Sequence, residues 1–396
     1  MEAVGFLCVR VTGSEREHRM ERKNGALRGI AMKQLSAVKT AYLFAGCFLG
    51  AGFVSGQELW QFFGCFGKRG FLGLGIAAVL FALCGILLIR LAQISGVREL
   101  DETVIRWNIP WLRGLMAFLQ CVCLFGVVAI MIAGGGALIH QLWPAIPAWS
   151  ASLVMSVLVA LVAVHGLSGV AAAFSVCVPL IVLVTVGFCA GAFHAFGTGP
   201  LFHIPAGQSE NVMLPAWPLA AVTYVAYNTF GSIGILTPFG ERISGRKRVY
   251  RGVLLGTALL ILIAVSVLLS LFLYLPATEA EMPMLEVACR LNRGLGYLYG
   301  LLLLAGIYGT ALSCSVAVGT FLQLRRKSLR RHGKALFSGV LAAAFLASLA
   351  GFGDLISTVY PVFGYLGALS LLLVFWNWLY YRNKEKNREK GLDEGV

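Results

Sequence analysis

Charge is scarce in this chain, and acidic charge scarcest of all: 18 Asp and Glu stand against 32 Lys and Arg in 396 residues. Only 13% of residues are charged while 58% are hydrophobic, a composition too apolar for a soluble globule. Runs near twenty apolar residues recur instead, and that length spans a bilayer. Histidine is rare, six in all, and the ten cysteines show no metal-ligand spacing. Cys121-Val-Cys123 is too close for a zinc pair. Cys47, Cys84, Cys177, Cys189 and Cys314 lie inside apolar runs and read as small packing residues. No nucleotide loop, H-E-x-x-H or G-x-S-x-G occurs, which argues against an ATP-driven pump and against an enzyme. The net charge of +14 would suggest nucleic acid in a soluble protein. Here the basic residues sit in short loops between spans, so the partner is the lipid bilayer and not nucleic acid.

The apolar runs predict an all-α polytopic membrane protein of about ten transmembrane helices. The first is in two halves, about 37–50 and 57–66. The others fall at about 71–92, 113–139, 149–165, 168–194, 215–242, 247–275, 294–323, 335–351 and 354–381. Residues 1–31 are polar and aperiodic, with no apolar core for a signal peptide. They read as a disordered tail or as an extension upstream of a start at Met32. Residues 32–381 form one transmembrane domain, and 382–396 form a basic tail. Loop charge sets the orientation. Connections near 90–113, 242–251 and 325–334 hold fifteen Lys and Arg, against Lys68, Arg69, Arg290 and Arg293 on the opposite side. That bias places both termini in the cytoplasm.

One stretch breaks the apolar pattern where a span should be most regular. Gly46–Gly67, GCFLGAGFVSGQELWQFFGCFG, carries six glycines, a serine, a glutamine and a glutamate. Glycine costs a helix roughly 1 kcal/mol, and backbone freed in lipid survives only when packed in protein or lining a cavity. An unwound elbow between the two half-helices is expected. The sixth span shows a second interruption, Asn228-Thr-Phe-Gly231-Ser-Ile-Gly234, after Pro215-Ala-Trp-Pro218. Paired interruptions in the first helix of each five-helix half, 36–194 and 215–381, point to a 5+5 inverted repeat with its site at the repeat interface.

This pattern, with discontinuous helices 1 and 6, resembles the LeuT fold of the amino acid–polyamine–organocation superfamily. The run Gly50-Ala-Gly-Phe-Val-Ser-Gly-Gln-Glu58, followed by Phe62-Phe63 and Gly67, resembles more narrowly the YkvI-like family of bacterial membrane proteins, related to branched-chain amino acid carriers. The resemblance covers about residues 35–382 and implies transport across a bacterial inner membrane.

Glu58 leads the candidate residues, because an ionisable group inside a span is expensive. It could bind a substrate ammonium, help hold a cation or carry a coupling proton. Against these, Ser55-Gly-Gln-Glu58 has the form of a capping box closing the second half-helix. A substrate carboxylate could sit near Gly50, Gly52, Ser55 and Gly56, at the start of that half-helix. The same glycines could instead merely let helices cross closely. On the sixth span, Tyr224, Tyr227, Asn228, Thr229 and Ser232 gather polar groups. Carbonyls from Asn228–Gly231 could receive an amine while Phe230 or Tyr227 covers its side chain. Thr310, Ser313 and Cys314 share one helix face. The LeuT resemblance implies a possible sodium site there, completed by carbonyls of Gly46 and Leu49. Ser and Thr also serve as tertiary glue in membranes. Lys39 snorkels, His140, His165 and His194 are interfacial, and Asp354 opens the last helix. Glu241–Arg242 is a candidate inner-gate pair. No organic cofactor is expected. The functional expectation is an ion-coupled transporter of a small amino-acid-like or other zwitterionic or cationic solute. A sensor that keeps the transporter fold without net flux is the alternative.

Overall fold

Apolar spans must satisfy their own backbone hydrogen bonds, so the apolar runs should fold as helices. The computed structural model describes residues 35–95, 103–105, 107, 109–163, 170–205, 207, 211–240, 243, 245–325 and 333–389. Among them there are helices and no strands. The first span is in three pieces, α1 (Ala37–Phe48), α2 (Ala51–Ser55) and α3 (Gln57–Phe62). α4 (Lys68–Ser95), α5 (Pro110–Leu142), α6 (Ala148–Ala163) and α7 (Val170–Phe196) follow, then a short α8 (Gly199–Phe202). The second set is α9 (Trp217–Phe239), α10 (Arg246–Leu273), α11 (Pro283–Leu291), α12 (Arg293–Arg325), α13 (Gly333–Ser348) and α14 (Phe352–Glu389). Stretches within α4, α5, α7, α10, α12 and α14 are long and apolar enough to cross a membrane, and α1, α6 and α13 are shorter apolar helices. The protein is an all-α polytopic membrane protein. The sequence expectation missed α8 and α11, which lie in connections. Residues 1–31, residues 390–396 of the tail, His165, Glu241 and Arg242 fall outside the described residues.

Packing sorts the helices into two groups. α1 lies on α10 and α7, and α9 on α4, while α5 packs against α6, α12 and α13. α14 bridges the groups through α9, α4 and α5. The halves of the sequence are thus interleaved rather than side by side. Two polar contacts brace the bridge. Pro361 has no N–H to give Ser357 four residues back, and Asn211 Nδ2 donates to that freed carbonyl at 2.7 Å. Asn377 Nδ2 donates to the carbonyls of Thr103 and Val104.

The structure corrects two expectations. α9 runs unbroken from Trp217 to Phe239, so the break expected at Asn228–Gly234 is absent. Glycine permits a break but costs only about 1 kcal/mol in a helix, and α9 is clasped by α4 and α14. Its polar side chains also bond back to their own helix: Asn228 to Tyr224, Ser232 to Thr229 and Thr237 to Ile233. The elbow of the first span is also shorter than expected. Residues 51–55 are helical, and the irregular backbone is Leu49–Gly50 with a second joint at Gly56.

Glu281, just before α11, offers a pH test. Its carboxyl is held above the usual carboxylate range, first by burial and then by the charge of Asp354, with His140 opposing. The side chain still reaches solvent, so the effect is small. The folded state holds this proton more tightly than the unfolded chain. Glu281 therefore costs stability as pH rises above its ordinary value of 4.5, and the cost vanishes below it. Glu281→Gln should raise the thermal unfolding midpoint at neutral pH, with the gain shrinking as pH falls through 4.5. A lowered midpoint at neutral pH would contradict this placement.

Candidate functional site

Two backbone events shape the first span. Ser36 caps α1, its hydroxyl accepting from Lys39 N, while the Lys39 side chain is exposed. At the other end Leu49 has φ −80° and ψ 78°, and Gly50 N donates to Phe48 O at 3.0 Å. This is an inverse γ-turn. It diverts the Gly50 N–H from the carbonyl of Gly46, its partner in an unbroken helix. The second event is Gly56, at φ 87°, a left-handed conformation that side-chain-bearing residues avoid. Here Tyr299 of α12 donates to Val54 O at 2.6 Å, a carbonyl that an unbroken helix would have paired with Glu58 N.

Glu58 follows this joint by two residues. The capping box does not form: α3 is capped by Gly56 without a side-chain bond, while the Ser55 hydroxyl donates to Gly52 O and accepts from Gln57 N. Freed from capping, the Glu58 side chain folds back across the elbow. A Cβ built on Gly52 would lie 2.6 Å from Glu58 Cγ and 2.7 Å from Cδ; one built on Gly50 would lie 4.0 Å from Oε1. The glycines therefore make room for a carboxyl group of the chain itself.

Three tyrosines close over that carboxyl. The Tyr227 hydroxyl of α9 donates to Glu58 Oε2, and Tyr360 of α14 lies against the Tyr227 ring. The rings of Tyr227 and Tyr360 stack at 4.5 Å. Tyr224 and Phe62 complete the panel, with ring centroids 5.4 and 5.8 Å from Tyr227. The buried Tyr224 hydroxyl faces Asn228 and Tyr227 without a well-formed bond. Glu58 is 3% exposed, yet no cationic side chain stands beside it among the described residues. A buried carboxylate ordinarily requires such a partner.

Beside this cluster there is space. Tyr227 and Asn228 are half-buried, Gly231 one turn further is exposed, and a Cβ on Gly231 would meet nothing within 4 Å. Gly231→Leu should consequently fold with its unfolding midpoint kept or raised, since leucine is the better helix former by up to about 1 kcal/mol. Uptake of solute should fall sharply if this space is the solute's path. Parent-like uptake by the variant would remove Gly231 from the path.

No protein-family model matches the chain. It is 27% identical over 345 residues to the uncharacterized membrane protein YkvI of Bacillus subtilis (strain 168), covering 84% of this chain and 93% of that one. The uncharacterized protein YyaD of the same strain is 23% identical over 355 residues, 85% of this chain and 95% of that one. Among solved structures, MhsT in complex with L-phenylalanine superposes with a TM-score of 0.64 at 15% identity, over 92% of this chain and 94% of that one. The chain has a LeuT-type fold. A mutant manganese transporter of Eremococcus coleocola also superposes, with a TM-score of 0.52 at 13% identity, over 93% of this chain and 81% of that one.

Within the LeuT-type fold, the residues singled out by sequence separate into three sets. Gly50, Gly52, Glu58 and Tyr227 come together, with Asn228 at the edge of the cluster. Ser55 and Gly56 shape the elbow. Phe230 and Ser232 do not join: Phe230 is buried, its Cβ facing Gly367 of α14, and Ser232 bonds Thr229 O. The candidate ion residues remain apart in sequence and in packing. α1, with Gly46 and Leu49 at its end, packs chiefly on α10, α7 and α9, while α12, carrying Thr310 and Ser313, meets the first span at α2. Ser313 Oγ donates to Gly309 O at 2.8 Å. His194 and Asp354 are exposed and His140 faces Ile146 O, outside the cluster. Sequence reasoning missed Tyr360. Its signal was a phenol next to Pro361 in the middle of an apolar run.

Proposed function

We propose that the protein is a secondary active transporter of a small amino-acid-like or other zwitterionic or cationic organic solute, coupled to sodium or protons. One observation carries the reading. A buried carboxyl without a cationic partner lies where the first span breaks, at the junction of the two helix groups. An intramembrane carboxyl so placed is costly unless a cation or proton uses it, and LeuT-type transporters bind at such broken helices. The printed ligand of MhsT, L-phenylalanine, supports an organic solute. Manganese belongs to the second structural neighbour, but a single carboxylate among aromatic rings suits an organic cation better than a transition metal. Among the described residues no three His, Cys, Asp or Glu gather into a metal site. The basic loops support an orientation with both termini in the cytoplasm of a bacterial inner membrane.

Gly46 O, released by the γ-turn, supports a sodium reading, which would need Leu49 O, Thr310 and Ser313 to be drawn to it; Glu58 supports a proton reading. Proteoliposomes with imposed sodium or proton gradients separate them. Uptake driven by sodium and abolished by Thr310→Ala with Ser313→Ala would establish the sodium site. Uptake that ignores sodium but follows a proton gradient would leave Glu58 as the coupling group. Solute binding without flux under either gradient would overturn the transporter reading in favour of a sensor.

A further inference from the structure

The elbow of the first span already contains a carboxyl group. Glu58 is folded so tightly against Gly52 that even a methyl there would stand 2.6 Å from its Cγ. Its Oε1 lies against Gly52 with Gly50 beyond, and its Oε2 accepts from Tyr227. A solute bearing its own carboxylate would have to place that group against this one, and like charges in a poorly hydrated site oppose each other. A solute bearing only an ammonium would meet the missing partner. The surrounding rings agree: Tyr227 and Tyr360 are stacked as a single panel, and Phe62 and Tyr224 stand beside it. Aromatic faces next to a carboxylate attract organic cations. A carboxylate has room for further hydrogen bonds beyond the one from Tyr227.

We infer that this site takes an organic ammonium ion lacking a carboxylate, with Glu58 supplying the negative group that an amino acid would have brought itself. Asn228 and the open space at Gly231 lie on the same helix face as Tyr227, so the body of such a cation would extend along α9. The inference rests on the transporter reading only for the destination of the ligand. The choice of ligand follows from Glu58 and its neighbours.

The test uses pairs of probes that differ by one carboxylate: phenethylamine and L-phenylalanine, isopentylamine and L-leucine, agmatine and L-arginine. Each is titrated into the purified full chain, with thermal stabilisation as readout, since binding to the folded state raises the midpoint. At least one amine should bind, and at least about tenfold more tightly than its amino acid, the scale on which a like charge discriminates. Glu58→Gln should lose the amine. Glu58→Gly, which empties the elbow, should narrow or reverse the preference within the pair. Equal or tighter binding of the amino acid in the parent protein overturns the inference, and so does failure of every amine to bind. Counterflow in proteoliposomes then distinguishes the two readings. An amine that binds without exchange retires transport but keeps the ligand class, whereas an amino acid that exchanges keeps transport and retires the ligand class.

Discussion

Glu58→Gln is expected to insert, fold and still fail to accumulate solute. The amide keeps the size of the side chain and one oxygen to accept from Tyr227, so the tyrosine cluster survives. It removes the charge and the titration. If Glu58 meets a cationic solute, uptake at low solute concentration should drop roughly 30-fold or more, the scale for losing one member of a buried charge pair. If it carries the coupling proton, the pH dependence of binding should vanish as well, because the titrating group is gone. Exchange could persist in that second case, since exchange needs the site but no net proton movement. Glu58→Ala should behave differently. It strands the hydroxyl of Tyr227, an unmet polar group worth roughly 1–3 kcal/mol, so the unfolding midpoint should fall. Accumulation by the Gln variant at the parent level would retire Glu58 as a chemical residue.

Gly52→Ala should have an effect out of proportion to one methyl group. The new Cβ would stand 2.6 and 2.7 Å from Glu58 Cγ and Cδ, closer than packed atoms tolerate. The atoms in the way are Oε1, the nearest, and behind it the carboxyl carbon and the stem carbon Cγ, so moving the tip alone does not clear the clash and Glu58 has to leave the elbow. Overpacking of this kind costs roughly 1–3 kcal/mol, and the Tyr227 hydrogen bond goes with it. The variant should therefore lose transport to about the extent of Glu58→Gln and unfold at lower temperature. Combining Gly52→Ala with Glu58→Gly should lower the midpoint by less than the sum of the two single changes and leave transport lost, because the clash is gone but so is the carboxyl. This non-additivity is the signature of two groups in direct contact. Parent-like transport by Gly52→Ala would mean that the position of Glu58 does not matter to function.

A good part of this molecule was written in its composition and periodicity. The nine apolar runs after the first span became helices within a few residues of their expected ends, save the last, which runs on to Glu389 instead of stopping at 381, because in lipid the backbone has no alternative partner to itself. The break in the first span was legible from glycines at 50, 52 and 56, and Glu58 from the cost of its charge in an apolar run. Other features had no local signature. The sixth span looked interrupted in sequence yet is one helix, since glycine only permits a bend and the packing of α4 and α14 on α9 decides whether it is taken. The role of Glu58 was undecided between capping its own helix and reaching outward, two choices of similar local energy. The partner that settles it, Tyr227, lies 169 residues further along, and Tyr360 is more distant still. Helix formation depends on neighbours three and four residues apart and can be read from the chain. The company kept by a buried carboxyl depends on which helices meet, and only the tertiary structure brings them together.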